Sequence, residues 1–133
     1  MKVIVDTSVW SLALRRNRKP DVPHVTVFRD LIIDGRTALL GAVRQEILSG
    51  IRHVDHFERL KNHLRAFPDI ELSIEDYELA SEFYNTCRSN GIQGANTDFL
   101  ICAAAVRRSY GILTTDKDFH IFRKHIPIVL VEP

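Results

Sequence analysis

The stretch Lys2-Val3-Ile4-Val5-Asp6-Thr7-Ser8-Val9-Trp10 decides the fold. Val3, Ile4 and Val5 are three consecutive β-branched residues, the signature of a short strand buried on both faces inside a parallel sheet. Asp6 closes the strand, and Thr7 or Ser8 then offers a helix N-cap ahead of the apolar Val9, Trp10 and Leu12. Open α/β sheets collect ligands at the carboxyl ends of their strands, which is where Asp6 stands. Taken alone, Asp6 reads as a capping or turn aspartate. Acids at comparable places further along the chain change that reading.

Composition narrows the classes to consider. The 133 residues are of a length for one domain that buries roughly two-thirds of its unfolded surface. Hydrophobic residues make up 45% and charged residues 26%, as in ordinary globular proteins rather than disordered or fibrous ones. With 18 basic and 17 acidic side chains the net charge is +1, so any claim of nucleic-acid binding rests on local patches. The apolar run from Phe99 to Val106 is too short to span a bilayer. The opening residues show neither the apolar segment nor the small-residue cleavage site of a secretory leader. Cys87 and Cys102 fall inside helical patterns and are expected to be buried, reduced thiols, which points to a cytoplasmic setting.

Working outward, the first helix is expected over Ser8–Arg16. Arg15, Arg16, Arg18 and Lys19 crowd its end, a cluster that suits a helix C-terminus and solvated loop and equally suits a grip on phosphates. A second helix is expected over His24–Ile33, with Val27, Phe28, Leu31 and Ile32 at helical spacing. Thr37-Ala38-Leu39-Leu40 reads as the second strand. In the helix after it, Glu46 falls between Ala42 and Val43 on the apolar face at 100° per residue. A glutamate turned toward a core requires a partner, whether an arginine or a cation.

Val54–Phe67 reads as an amphipathic helix accompanied by His53, His56 and His63, which lack a third well-spaced metal ligand and suit a solvated face. Ile70-Glu71-Leu72 reads as an edge strand. Ser73 with Asp76 resembles a capping box, opening a helix to about Asn90 with Gly91 as its stop. Asn96-Thr97-Asp98 then opens a helix that is apolar at nearly every position from Phe99 to Val106, with Asn96 or Thr97 as the expected cap. Asp98 in its first turn suits the helix dipole, and it also sets an acid at the mouth of a buried helix. Ile112-Leu113-Thr114 reads as the fourth strand and runs into Thr115-Asp116-Lys117-Asp118-Phe119. Asp116 then stands after its strand much as Asp6 does, and Asp118 caps a short helix. Pro127–Val131 supplies the last strand. The alternation of strands and helices implies a parallel sheet with right-handed crossovers and one domain over residues 1–133.

If the first and fourth strands are neighbours, Asp6 and Asp116 end side by side, and Glu46 and Asp98 join them from adjoining helices. Two carboxylates ~5 Å apart repel by about 3 kcal/mol at an effective dielectric of ~20. Such a cluster persists only where protons or cations offset it. An all-oxygen set without His or Cys suits hard Mg²⁺ or Mn²⁺, and the chemistry that most often uses it is phosphoryl transfer.

In these residues the chain resembles the PIN-domain ribonucleases, and within them the VapC toxins of toxin–antitoxin pairs. The resemblance runs along the whole chain, through Val3-Ile4-Val5-Asp6-Thr7-Ser8, Glu46, Asp98 and Thr114-Thr115-Asp116-Lys117-Asp118-Phe119. It implies an α/β, three-layer PIN-like fold whose parallel sheet has the order 3-2-1-4-5, flanked by helices. It further implies an endoribonuclease dependent on Mg²⁺ or Mn²⁺, with Asp6, Glu46, Asp98 and Asp116 as catalytic metal ligands. RNA as substrate, a VapB-type antitoxin as partner and a homodimer follow from the same resemblance. The position of Asp118 is variably used in that family. A haloacid-dehalogenase-type phosphatase wants a second Asp where Ser8 stands, and a receiver domain wants an acidic pair that Thr7 breaks. The remaining alternative is a PIN-like module that binds RNA or protein without cutting.

Overall fold

The computed structural model describes residues 1–15 and 22–133. Arg16, Arg18 and Lys19, three members of the early basic cluster, lie outside the described residues. Strand β1 (Val3–Val5) is completely buried and central. It pairs in parallel with β2 (Thr37–Ala38) on one side and β3 (Gly111–Leu113) on the other, with Val5 opposite Leu113. A branched side chain at each position fills both faces, and that is why so short a strand holds the middle of the sheet.

The expected outer strands are reduced to single parallel bridges, Leu39 with Asp69 and Ile112 with Leu130. Pro68 and Pro127 precede them and donate no backbone N–H. The hydrogen bonds that remain run from Ile70 N–H to the Leu39 carbonyl (2.8 Å), and between Ile112 and residues Val129 and Val131 (2.9 and 2.8 Å). With the bridged segments at Asp69 and Leu130 counted as the third and fifth strands in chain order, and β3 thus as the fourth, the lateral order is 3-2-1-4-5, and the fold is α/β with a parallel sheet flanked by helices.

The helices are α1 (Thr7–Ala13), α2 (Pro23–Ile33), α3 (Gly41–Leu48), α4 (Val54–Leu64), α5 (Ile74–Ser89), α6 (Asn96–Arg108) and α7 (Asp118–Phe122). Helix α6 packs on β1, β3 and α5, while α1 contacts α2 and α3, and α3 contacts α4. Residues Ile101 to Ala105 of α6 are fully buried, and four small side chains among these five let the helix lie close to the sheet. Phe99, Phe119 and Phe122 form an aromatic cluster, with ring centroids of Phe99 and Phe122 at 4.8 Å. Gly94 abuts it: a Cβ there would stand 2.7 Å from Phe122 and 2.9 Å from Phe99, so only glycine lets the chain enter α6 at this point.

Several helix ends differ from the sequence-based expectation. Helix α1 begins at Thr7 with Asp6 in the N-cap position, and neither Thr7 nor Ser8 caps it. The N-cap of α6 is Ala95, not Asn96 or Thr97, because the Asp98 carboxylate reaches back to the Ala95 N–H (3.1 Å) and supplies the acceptor from inside the first turn. Asp118 is the first residue of α7 rather than its cap. Helix α4 ends at Leu64 instead of Phe67: the Arg44 guanidinium takes the carbonyls of Leu64 and Phe67 and ion-pairs with Asp69, drawing the chain out of the helix. The Ser73–Asp76 box is present, with the Ser73 N–H at 2.8 Å from the carboxylate, and the left-handed Gly91 (φ +76°) follows the end of α5.

Candidate active site

Four acids converge on the carboxyl edge of the sheet from four elements: Asp6 after β1, Glu46 in α3, Asp98 in α6 and Asp116 after β3. The parallel register sets the first and last. Asp6 donates its N–H to the Leu113 carbonyl (2.9 Å), so its lateral neighbour is Thr114, and Asp116 lies two residues beyond. Asp6 and Asp116 therefore do not end at matching positions, and Thr114 links them. Its hydroxyl donates to Asp6 Oδ2 (2.8 Å) and accepts the Asp116 N–H (2.9 Å). The Ser8 hydroxyl does the same work from the other side, donating to Asp6 Oδ2 (2.8 Å) and accepting the Thr115 N–H (3.1 Å).

The other acids are oriented in the same manner. Asp116 Oδ1 accepts the N–H of Asp118 (2.9 Å), Glu46 Oε1 accepts the Thr7 hydroxyl (2.8 Å), and Asp98 Oδ2 accepts the Ala95 N–H. In each of the four carboxylates one oxygen is held by the protein. The second oxygen takes no protein hydrogen bond among the described residues, and none of the four acids has an ion-pair partner there.

Electrostatics tie the four together. Burial is the first cause that pushes the Asp98 carboxyl up to about 6, and the negative charges of Asp6, Asp116 and Glu46 push it the same way. The Ala95 N–H opposes the shift without cancelling it. Cys102, one turn along α6, is fully buried; desolvation first and the Asp98 charge second raise its thiol far above the ordinary range. That removes it as a nucleophile at neutral pH.

Glu46 is exposed, not turned into the core as its helical phase suggested. Val43 and Ile47 fill the buried side of α3, and Glu46 lies at the rim of that side, where the Thr7 hydroxyl meets it in place of an arginine. Asp118 is exposed, joins the site through its backbone N–H, and its side chain makes no hydrogen bond to the four acids. The sequence reading missed Thr7, Ser8 and Thr114 as orienting groups. Their signal was present in the spacing: hydroxyl residues one and two places after Asp6 and two places before Asp116, at strand ends where short side chains reach backbone and carboxylate alike.

The donor set is carboxylate oxygen throughout, the ligand chemistry of Mg²⁺ and Mn²⁺. It carries excess negative charge that nothing among the described residues offsets. Among the described residues, no three His, Cys, Asp or Glu side chains are grouped closely enough to hold a metal ion as they stand. The residues fit a hard divalent cation in donor type, charge and free acceptors.

No curated protein sequence matches the chain. Among solved structures, FitAcB from Neisseria gonorrhoeae is similar with a TM-score of 0.78 at 17% identity, covering 98% of this chain and 97% of that one. VapBC2 from Rickettsia felis, in complex with a DNA fragment from its promoter, gives 0.78 at 17% identity over 98% of each chain. VapBC-1 from nontypeable Haemophilus influenzae gives 0.76 at 13% identity, covering 99% of this chain and 98% of that one. At such identities the likeness is one of fold. The PIN domain profile matches residues 3–124, and that span takes in β1, both partner strands, all four acids and the seven helices of the described residues. The chain belongs to the PIN domain family.

Proposed function

We propose that this single-domain chain is a Mg²⁺- or Mn²⁺-dependent endoribonuclease, the toxin of a VapBC-type toxin–antitoxin pair. The observation that carries the reading is the shared pattern of the four carboxylates, each fixed through one oxygen and open at the other. Asp6, Glu46, Asp98 and Asp116 would hold the cation. When bound, the cation supplies a water of lowered pKa and stabilises the oxygen leaving the phosphorus. Ser8 and Thr114 hold the Asp6 carboxylate against rotation, and Thr7 restrains Glu46 at the exposed rim. Burial and the neighbouring acids raise the Asp98 carboxyl to about 6, so binding of a cation, which requires the ionised form, should weaken as pH falls below that value. The fully buried β1 backbone keeps Asp6 aimed with little freedom.

The similar solved structures are of VapBC and FitAB proteins, and this supports an antitoxin as partner; the homodimer rests on the family resemblance alone. The two buried free cysteines accord with a cytoplasmic setting, and no helix among the described residues is long and apolar enough to cross a membrane. A PIN-like module that binds without cutting would not require all four acids with open oxygens. The test is incubation of the purified chain with single-stranded RNA, in Mg²⁺ or Mn²⁺ and in EDTA. Cutting with metal that leaves 5′-phosphate and 3′-hydroxyl ends, and none in EDTA, is the expected result. RNA bound but uncut under every metal condition would favour the binding module.

A further inference from the structure

Helix α4 presents a line of basic side chains that the acid site does not use. His56, Arg59 and His63 follow one another at spacings of three and four, within about 60° of one another around the helix. All three are exposed, as are Arg52 and His53 at the entrance to the helix. None of the five makes an ion pair or side-chain hydrogen bond among the described residues. The helix's own acids offset the line only in part. Asp55, four residues before Arg59, shares its side of the helix without an ion pair between them, whereas Glu58 is turned about 100° or more from each member of the line and is paired with Lys61 at 2.8 Å. Leu60 and Leu64 bury the inner face, and Arg44 clamps the Leu64 carbonyl, so the outer face is held in a fixed direction.

Charge is segregated by element even though the chain is nearly neutral. Helix α5 carries Glu75, Asp76, Glu78 and Glu82 against Arg88, while the segment 52–65 carries seven basic or imidazole side chains against two acids. The basic helix packs on α3, the helix that holds Glu46. His53 is seven positions after Glu46, so the start of α4 lies within about 25 Å of Glu46 by chain length alone.

We infer that the outer face of α4, through His56, Arg59 and His63 with Arg52 and His53 at its entrance, is a phosphate-binding ridge that grips the backbone of RNA beside the acid site. The inference rests on the nuclease reading for the identity of the nucleic acid. Arginine and imidazole N–H groups are donors suited to phosphate oxygens, and a row one helical turn apart follows a backbone without reading bases. Positive charge here also offsets the repulsion that the acid cluster exerts on an incoming polyanion.

The test is binding of a fluorescent single-stranded RNA in EDTA, where cutting is not expected, over a salt series. It compares the wild-type chain with H56A/R59A/H63A, and with R88A on α5 as a control that is also exposed. The triple variant is expected to bind about tenfold more weakly, with a log K against log salt slope shallower by about one, while R88A keeps wild-type binding. All three replaced side chains are exposed, and circular dichroism verifies the fold; R59E alone, expected to weaken binding in the same direction, serves should the triple variant misfold. Unchanged affinity and slope would overturn the ridge and leave α4 as a protein contact or a bare solvated face. Wild type that binds no RNA would overturn it too. Wild type that binds through α4 yet never cuts with any metal would leave the ridge standing and overturn the nuclease reading.

Discussion

Asp98 carries the clearest record of the crowding among the acids, and the consequence is measurable. Its carboxyl is raised from the ordinary 3.8 to about 6, first by burial and then by Asp6, Asp116 and Glu46. The folded chain therefore holds this proton to higher pH than the unfolded chain, and stability falls as pH rises from about 4 to about 6. The loss is on the order of 3 kcal/mol for a shift of this size. Asp98→Asn keeps an acceptor for the Ala95 N–H and removes the charge. Without metal the variant should lose this fall and melt several degrees above wild type at pH 7.5, as scanning calorimetry across pH 4–8 would record. Added Mg²⁺ should stabilise the wild type and have little effect on the variant. A variant with the wild-type pH slope and the same response to Mg²⁺ would place Asp98 outside the cluster. The acids themselves were legible in the sequence because each stands beside a strand end or opens a helix. The hydroxyls that aim them were not, because Thr7, Ser8 and Thr114 read equally well as caps and turn residues until the fold brings Thr7 to Glu46, 39 positions on, and the parallel register brings Ser8 and Thr114, over 100 positions apart, to the same site.

At the scale of elements, α5 and α6 are joined by an ion cluster that the sequence pattern concealed. Asp76 read as half of a capping box, and it is that. It is also fully buried and takes Arg107 (2.9 Å) and Arg108 (2.7 Å) from the far end of α6. Hydrogen bonds from Arg108, then from the Ser73 N–H and Arg107, hold its carboxyl well below the ordinary range against the opposing effect of burial. An acid so lowered stabilises the fold above its unfolded value near 4, and that contribution is lost as pH falls below it. Asp76→Ala leaves the partly buried Arg108 and the exposed Arg107 without their partner. It should lower unfolding free energy by about 3 kcal/mol at pH 7, read by urea denaturation, with the deficit shrinking toward pH 3. A loss below about 1 kcal/mol would mean the cluster adds no more than a surface pair. Local spacing revealed the Ser73–Asp76 turn. The Arg107–Arg108 contact depends on how two helices pack, which local spacing does not contain.

For the molecule as a whole, one branched tripeptide was enough to place the centre of the sheet, since Val3-Ile4-Val5 has no alternative to burial on both faces. The outer strands expected at 70–72 and 127–131 stand at the expected edges, each joined to the sheet by one parallel bridge. Glu46 was misplaced, because helical phase gives the side of a helix and not the position of its rim. The resulting architecture gathers acids at the carboxyl edge of the sheet and leaves each acid one oxygen free of protein hydrogen bonds among the described residues. Whether these carboxylates are a cutting site is tested best at Asp6, because the buried strand holds it independently of the chemistry. Asp6→Asn preserves shape and removes one charge, so the fold should survive. The decisive measurement is the rate of RNA cleavage by this variant in saturating Mg²⁺ or Mn²⁺, with circular dichroism on the same sample. A folded protein whose rate falls at least a hundredfold, on the order of what loss of a metal-site charge costs, is the result expected of a cutting site. A folded Asp6→Asn that cuts at the wild-type rate would contradict it.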